Sequence, residues 1–228
     1  MPMPGVERVE RIAHRGTPRE ATENTLPSFA RALELRADAI ELDVHLSSDG
    51  VVVVHHDETV RGRAIRSTAW KDLAGIDLAG DTRIPRLQDV LEMVGDRATI
   101  YIELKGAGVE TPAIVTARKY GRRFAMHSFD HAAVERVAAA APDIPRGVLL
   151  DRDTHQATQA MRAAVARTRA RDVWPHWSLV DVPFMHEART LGVRVIVWTV
   201  NSEGTARTLR DLGAYGLCTD DLSVLATL

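Results

Sequence analysis

The chain has 228 residues, 45% of them hydrophobic and 26% charged, with a formal net charge of −2. These are the proportions of an ordinary globular domain long enough to bury a sizeable core, and near-neutral charge gives no reason to expect nucleic acid or a membrane surface as a partner. One cysteine, Cys218, excludes an internal disulfide framework.

Met1 to Arg8 lacks the apolar core of a signal peptide and no apolar run approaches membrane-spanning length, so a cytoplasmic protein without stable membrane insertion is expected. Val9 to Ala13 reads as a short strand ending in His14-Arg15-Gly16. Asn24 or Thr25 then caps a helix with Pro27 in its first turn, and Phe29, Leu33 and Leu35 supply its buried side. Ile40 to Leu46 alternates polar and apolar residues, the period of a half-buried strand. Glu41, Asp43 and His45 share one face; Ile40, Leu42, Val44 and Leu46 share the other. Two carboxylates about 5 Å apart repel by roughly 3 kcal/mol at an effective dielectric near 20, and a cation would turn that cost into attraction. A solvated edge strand with a surface ion pair is the plainer alternative. Ser47 to Gly50 is a tight turn, and the β-branched strand Val51 to Val54 brings His55, His56 and Asp57 toward the acidic pair.

From about 57 to 84 the composition turns polar and irregular, with a short helix at Trp70 and Leu73, which reads as an insertion after the second strand. Gln88 to Val94 is a helix, and Thr99 to Lys105 is a strand ending in Glu103 and Lys105. Helices and strands then alternate regularly: helix 111–120, strand 124–129, a helix capped by Asp130, strand 145–150, helix 154–169, strand 172–177, a helix from Pro183, strand 193–199, a helix capped by Ser202, and strand 215–219. Strand–helix pairs every 25 to 30 residues predict parallel βαβ units. Eight core strands, with Val51 to Val54 as an extra, favour a single α/β domain over residues 1–228, a closed (β/α)₈ TIM barrel rather than an open doubly wound sheet. No GxGxxG follows the first strand.

The active site of such a barrel lies at the C-terminal ends of its strands. Glu41, Asp43 and Glu103 fall at that rim with no cysteine among them, a donor set suited to Mg²⁺ or Ca²⁺. His14 and His56 could form a proton-transfer pair, and Arg15 and Lys105 could hold an anionic group such as phosphate. Trp198, at the end of the seventh strand, is either a ligand platform or rim packing, and Glu103 with Lys105 could be a same-face ion pair.

His14-Arg15-Gly16, Glu23-Asn24-Thr25, Glu41-Leu42-Asp43-Val44, Asp49-Gly50 and His56-Asp57 form an ordered series. It continues through Ile84-Pro85-Arg86-Leu87, Ile102-Glu103-Leu104-Lys105, Ser128-Phe129-Asp130 and Trp198-Thr199-Val200-Asn201. The series resembles the glycerophosphodiester phosphodiesterase family from about residue 9 to 221. The resemblance implies a (β/α)₈ barrel that uses a divalent metal to hydrolyse a small-molecule glycerophosphodiester to glycerol 3-phosphate and an alcohol. It assigns the metal to Glu41, Asp43 and Glu103, acid–base roles to His14 and His56, and phosphate binding to Arg15 and Lys105. The near alternative is phospholipase D-like action on lysophospholipids or sphingomyelin; a catalytically silent phosphate-binding barrel is the alternative of another class. The chain departs from the family at Thr22 and Leu222, where the family favours Pro, and in the short run 61–68, where the family carries a longer cover over its substrate.

Overall fold

The computed structural model describes residues 8–228; the N-terminal run read above for signal-peptide character lies, apart from Arg8, outside the described residues. Strand β1 (Glu10–His14) leads to helix α1 (Leu26–Glu34), β2 (Ala39–Leu46) and β3 (Val52–Val54). The segment that follows carries a small hairpin, β4 (Thr59–Val60) with β5 (Arg63–Ala64), and α2 (Trp70–Leu73). Regular alternation resumes with α3 (Leu87–Val94), β6 (Thr99–Leu104), α4 (Glu110–Tyr120), β7 (Phe124–Ser128), α5 (His131–Ala140) and β8 (Arg146–Leu150). It ends with α6 (Ala157–Thr168), β9 (Asp172–Pro175), α7 (Val182–Leu191), β10 (Arg194–Val197), α8 (Glu203–Leu212) and β11 (Gly216–Thr219).

The sheet runs β1-β11-β10-β9-β8-β7-β6-β2, and β2 pairs back onto β1. Eight parallel strands therefore close into a barrel, as the strand–helix repeat predicts, with β3 outside the ring and antiparallel to β2. Inward residues from successive strands, Ile12, Ala39, Tyr101, Leu149, Trp174 and Ile196, fill the centre as one apolar cluster. Gly147 makes room there, because a Cβ at that position would lie 2.9 Å from the Trp174 indole. The outward faces of β2 and β6 pack under α1, α3 and α4 through residues such as Ile40, Leu42, Phe29 and Leu91. No helix among the described residues is long and apolar enough to cross a membrane.

Four local expectations change. Strand β2 is buried along its whole length except Leu46, with Glu41 3% and Asp43 0% exposed, so the solvated-edge alternative fails: the polar face points into the barrel. Thr25 occupies the N-cap of α1 but makes no side-chain cap bond, its hydroxyl donating to the Thr22 carbonyl, while Asn24 turns inward. Ser202 likewise caps α8 by position only. The 57–84 segment is ordered rather than irregular, because Val60, Ile65, Leu73 and Ile84 bury a core of their own against Val53.

Candidate active site

Strand register assembles the site. His14 lies opposite Glu41 across β1 and β2, Asp43 opposite Glu103 across β2 and β6, and Glu103 opposite His127 across β6 and β7. Parallel pairing of inward positions thus places five polar side chains from four neighbouring strands at one end of the barrel. All but Asp43 border a cavity of about 270 Å³ whose lining also includes Arg15, His56 and Lys105, with Phe129 and Trp198 as an aromatic wall. Of the sequence-predicted site residues only Asp43 is not in that lining; it is fully buried.

Asp43 is the electrostatic anchor. Arg15 Nε lies 3.1 Å from its Oδ2 and Lys105 Nζ 3.3 Å from its Oδ1, while Asn24 Nδ2 donates to Oδ2 at 2.8 Å. Burial alone would raise this carboxyl, but the Lys105 and Arg15 charges and the Asn24 hydrogen bond outweigh it and hold the pKa at about 2. Lys105 also reaches Glu103 Oε1 at 2.7 Å, so the same-face ion pair exists within the larger cluster.

The buried oxygen Glu41 Oε2 and both ring nitrogens of His127 have no hydrogen-bond partner. Buried polar atoms are seldom left so. One ligand atom from each of Glu41, Glu103 and His127 can be chosen with all three within 4.8 Å of one another. Carboxylate oxygens and an imidazole nitrogen converging without partners fit a divalent cation.

The two histidines named from sequence are braced alike. His14 Nδ1 is 2.6 Å from Asp220 Oδ1, and Asn201 Nδ2 donates to the other oxygen of Asp220 at 2.6 Å. Burial lowers the His14 pKa, but the Asp220 hydrogen bond and the Glu41 charge exceed it, and the net shift is upward. His56 Nδ1 pairs with Asp57 Oδ1 at 2.8 Å, and His45 Nε2 donates to the His56 carbonyl at 3.0 Å. In both rings Nε2 is the nitrogen left over for the cavity. Trp198 donates its indole N–H to the Trp174 carbonyl and meets Phe129 edge to face, which leaves it a wall without a free donor.

Asn24, His127, Asn201 and Asp220 carry this arrangement but are not among the site residues read from the sequence. Asn24 and Asn201 stand within matched motifs, and Asp220 follows the last strand directly. His127 carries no local signal beyond its inward parity with Ala125 on β7.

Arg15 holds its position through an unusual backbone. It has φ +54, its N–H bonds the Glu41 carbonyl at 2.9 Å, and its carbonyl accepts from Asn24 N–H at 3.0 Å and Ser28 Oγ at 3.1 Å. Gly16 follows at φ +89, where a Cβ would lie 2.3 Å from Ser28 Oγ and 2.8 Å from the Ser28 backbone. Gly16→Ala is therefore expected to destabilise the fold by about 2–4 kcal/mol, combining a left-handed φ with a clash against backbone. Urea denaturation measures this, and a loss below about 1 kcal/mol would show that the loop can relax.

Residues 14–224 match the model of the glycerophosphoryl diester phosphodiesterase family. A glycerophosphodiester phosphodiesterase of Caldanaerobacter subterraneus subsp. tengcongensis is 33% identical over 242 aligned residues, covering 95% of this chain and 96% of that protein. The glycerophosphodiester phosphodiesterase structure from Thermotoga maritima superposes with a TM-score of 0.85 at 26% identity, covering 98% and 99% of the two chains. An Oleispira antarctica phosphodiesterase, solved with its product sn-glycerol 3-phosphate, shares the fold with a TM-score of 0.84 at 24% identity over 94% of each chain. A closed barrel with paired carboxylates and two carboxylate-braced imidazoles at its rim, matched along nearly its whole length, belongs to the glycerophosphoryl diester phosphodiesterase family of phosphoric diester hydrolases.

Proposed function

We propose that the protein hydrolyses small glycerophosphodiesters to glycerol 3-phosphate and an alcohol, with a divalent cation among Glu41, Asp43 and Glu103 and with His14 and His56 carrying the protons. The observation that supports this most is the pair of imidazoles, each bound through Nδ1 to a carboxylate, facing one cavity that also exposes buried carboxylates. When bound, the cation supplies charge stabilisation at a non-bridging phosphate oxygen. Arg15 and Lys105 neutralise the same phosphate, exchanging part of their contact with Asp43 for phosphate oxygens. His14 takes the proton of the attacking hydroxyl at Nε2, and His56 delivers a proton to the leaving alkoxide. Asp220 and Asp57 hold the two rings in the tautomer with Nδ1 protonated.

Phosphorus NMR of reactions with glycerophosphocholine, glycerophosphoethanolamine and glycerophosphoglycerol tests the reading. Glycerol 3-phosphate should accumulate in each, and the rates should lie within about tenfold, because the 57–84 segment is short and leaves the headgroup side open. No turnover of any of the three would overturn the proposal. A thousandfold preference would leave the activity standing and assign selection to other loops.

The bracing of His14 predicts a pH effect. A base with a raised pKa is charged, and inactive, over more of the acidic range, so the acidic limb of kcat/KM should lie above the ordinary imidazole value near 6.5. Asp220→Asn removes the anion that holds the proton, so this limb should move to lower pH while the maximal rate falls. A limb that stays in place would show that it reports another group.

A further inference from the structure

His127 is 1% exposed, and its ring packs at a tilt of 34° against Trp174, with centroids 4.4 Å apart, inside the barrel. Neither ring nitrogen has a hydrogen-bond partner. Its Nε2 lies 3.6 Å from Glu41 Oε1, beyond hydrogen-bond distance, and a ring nitrogen falls within 4.8 Å of carboxylate oxygens of both Glu41 and Glu103. An imidazole buried with both nitrogens unpartnered and one facing a carboxylate is unfavourable unless something else completes it. Separations of this size suit two ligands of one ion better than a donor and its acceptor. None of the neighbouring side chains hydrogen-bonds the ring: Glu103 pairs with Lys105, and Asp43 with Arg15, Asn24 and Lys105.

Resting on the cation reading above, we propose that His127 Nε2 is itself a ligand of the divalent cation. The site is then carboxylate oxygens plus one imidazole nitrogen, and it favours first-row transition ions over Ca²⁺. Calcium takes oxygen ligands, whereas imidazole raises affinity along the series that begins at Mn²⁺. The resemblance to the family supplies carboxylate ligands only; the nitrogen comes from a residue of β7 that this barrel turns inward.

Pulsed EPR of the Mn²⁺-loaded protein, with calorimetric titration of Mn²⁺ and Ca²⁺, tests this without reference to activity. The wild type should bind one Mn²⁺ and show the ¹⁴N coupling of a directly bonded imidazole. His127→Gln should lose that coupling and bind Mn²⁺ about 10–100-fold more weakly, with Ca²⁺ affinity changed less than about threefold. His14→Ala should keep the coupling, which excludes the other nearby imidazole and leaves a test that does not disturb the barrel centre. Stoichiometric Mn²⁺ without ¹⁴N coupling, coupling that survives His127→Gln, or coupling lost in His14→Ala would each overturn the assignment while leaving an oxygen-bound cation intact. Failure of the wild type to bind either ion would remove the cation reading and this inference together.

Discussion

His56→Ala is expected to slow hydrolysis of glycerophosphocholine by about 10²–10⁴, the usual scale of general acid catalysis, and to regain most of that loss on a nitrophenyl phosphodiester. An alkoxide leaves only with a proton, whereas a nitrophenolate is stable as an anion. His56 follows the β2–β3 hairpin with its side chain 36% exposed, so it can collect a proton from solvent, and Asp57 keeps its Nδ1 engaged. His14 is deeper, between Asp220 and Glu41, and His14→Ala should stay slow on both substrates because the attacking hydroxyl still needs a base. The reverse pattern would exchange the two roles. Equal losses for both variants on both substrates would refute the division of labour.

Stripping the divalent cation with a chelator is expected to lower turnover by about 10³ or more, the several kcal/mol that a Lewis acid contributes to a phosphoryl transition state. Charge at the cavity floor motivates this. Three carboxylates, Glu41, Asp43 and Glu103, face two permanent cations, Arg15 and Lys105, in a space nearly closed to water. Without a further positive charge, burial and then the Asp43 charge push the Glu103 carboxyl up to about 8 despite Lys105. A proton and the cation then compete for Glu103. Metal affinity should therefore fall as pH is lowered through the neutral range. Glu103→Gln should weaken binding and reduce that pH dependence; Glu41→Gln should weaken binding and keep it. Calorimetric titration at pH 6, 7 and 8 reads both effects. Full turnover by metal-free protein in chelator would end the cation hypothesis.

Much of the barrel is legible from local pattern alone. Period-two alternation in Ile40 to Leu46 specifies which side chains of β2 share a face, and burial on both faces follows once the strand lies inside a ring. The strand–helix repeat after residue 99 carries the topology, since each apolar strand needs a helix to cover its outer face. Element ends are less legible, because they depend on where neighbours stop pairing. The seventh barrel strand ends at Val197, although the β-branched run suggests Thr199. Asn24 shows the same limit more sharply. By composition it is a helix cap, but φ +55 turns its amide inward to Asp43, and no helix rule contains that alternative.

The residues that brace the site from a distance depend on tertiary structure. His14 and Asp220 lie at opposite ends of the chain and meet because β11 closes against β1; an unclosed sheet would leave them at opposite edges. His127 reaches Glu41 only because the parallel register of β2, β6 and β7 brings residues far apart in sequence to one level of the barrel. The sequence by itself determined the chemistry available: which strands carry carboxylates and imidazoles, which face they share, and that the strand–helix repeat would gather them at one rim. Barrel closure and strand register decided which of those groups meet, because side-chain partners across a parallel sheet depend on shear and stagger, quantities that no stretch of local sequence encodes.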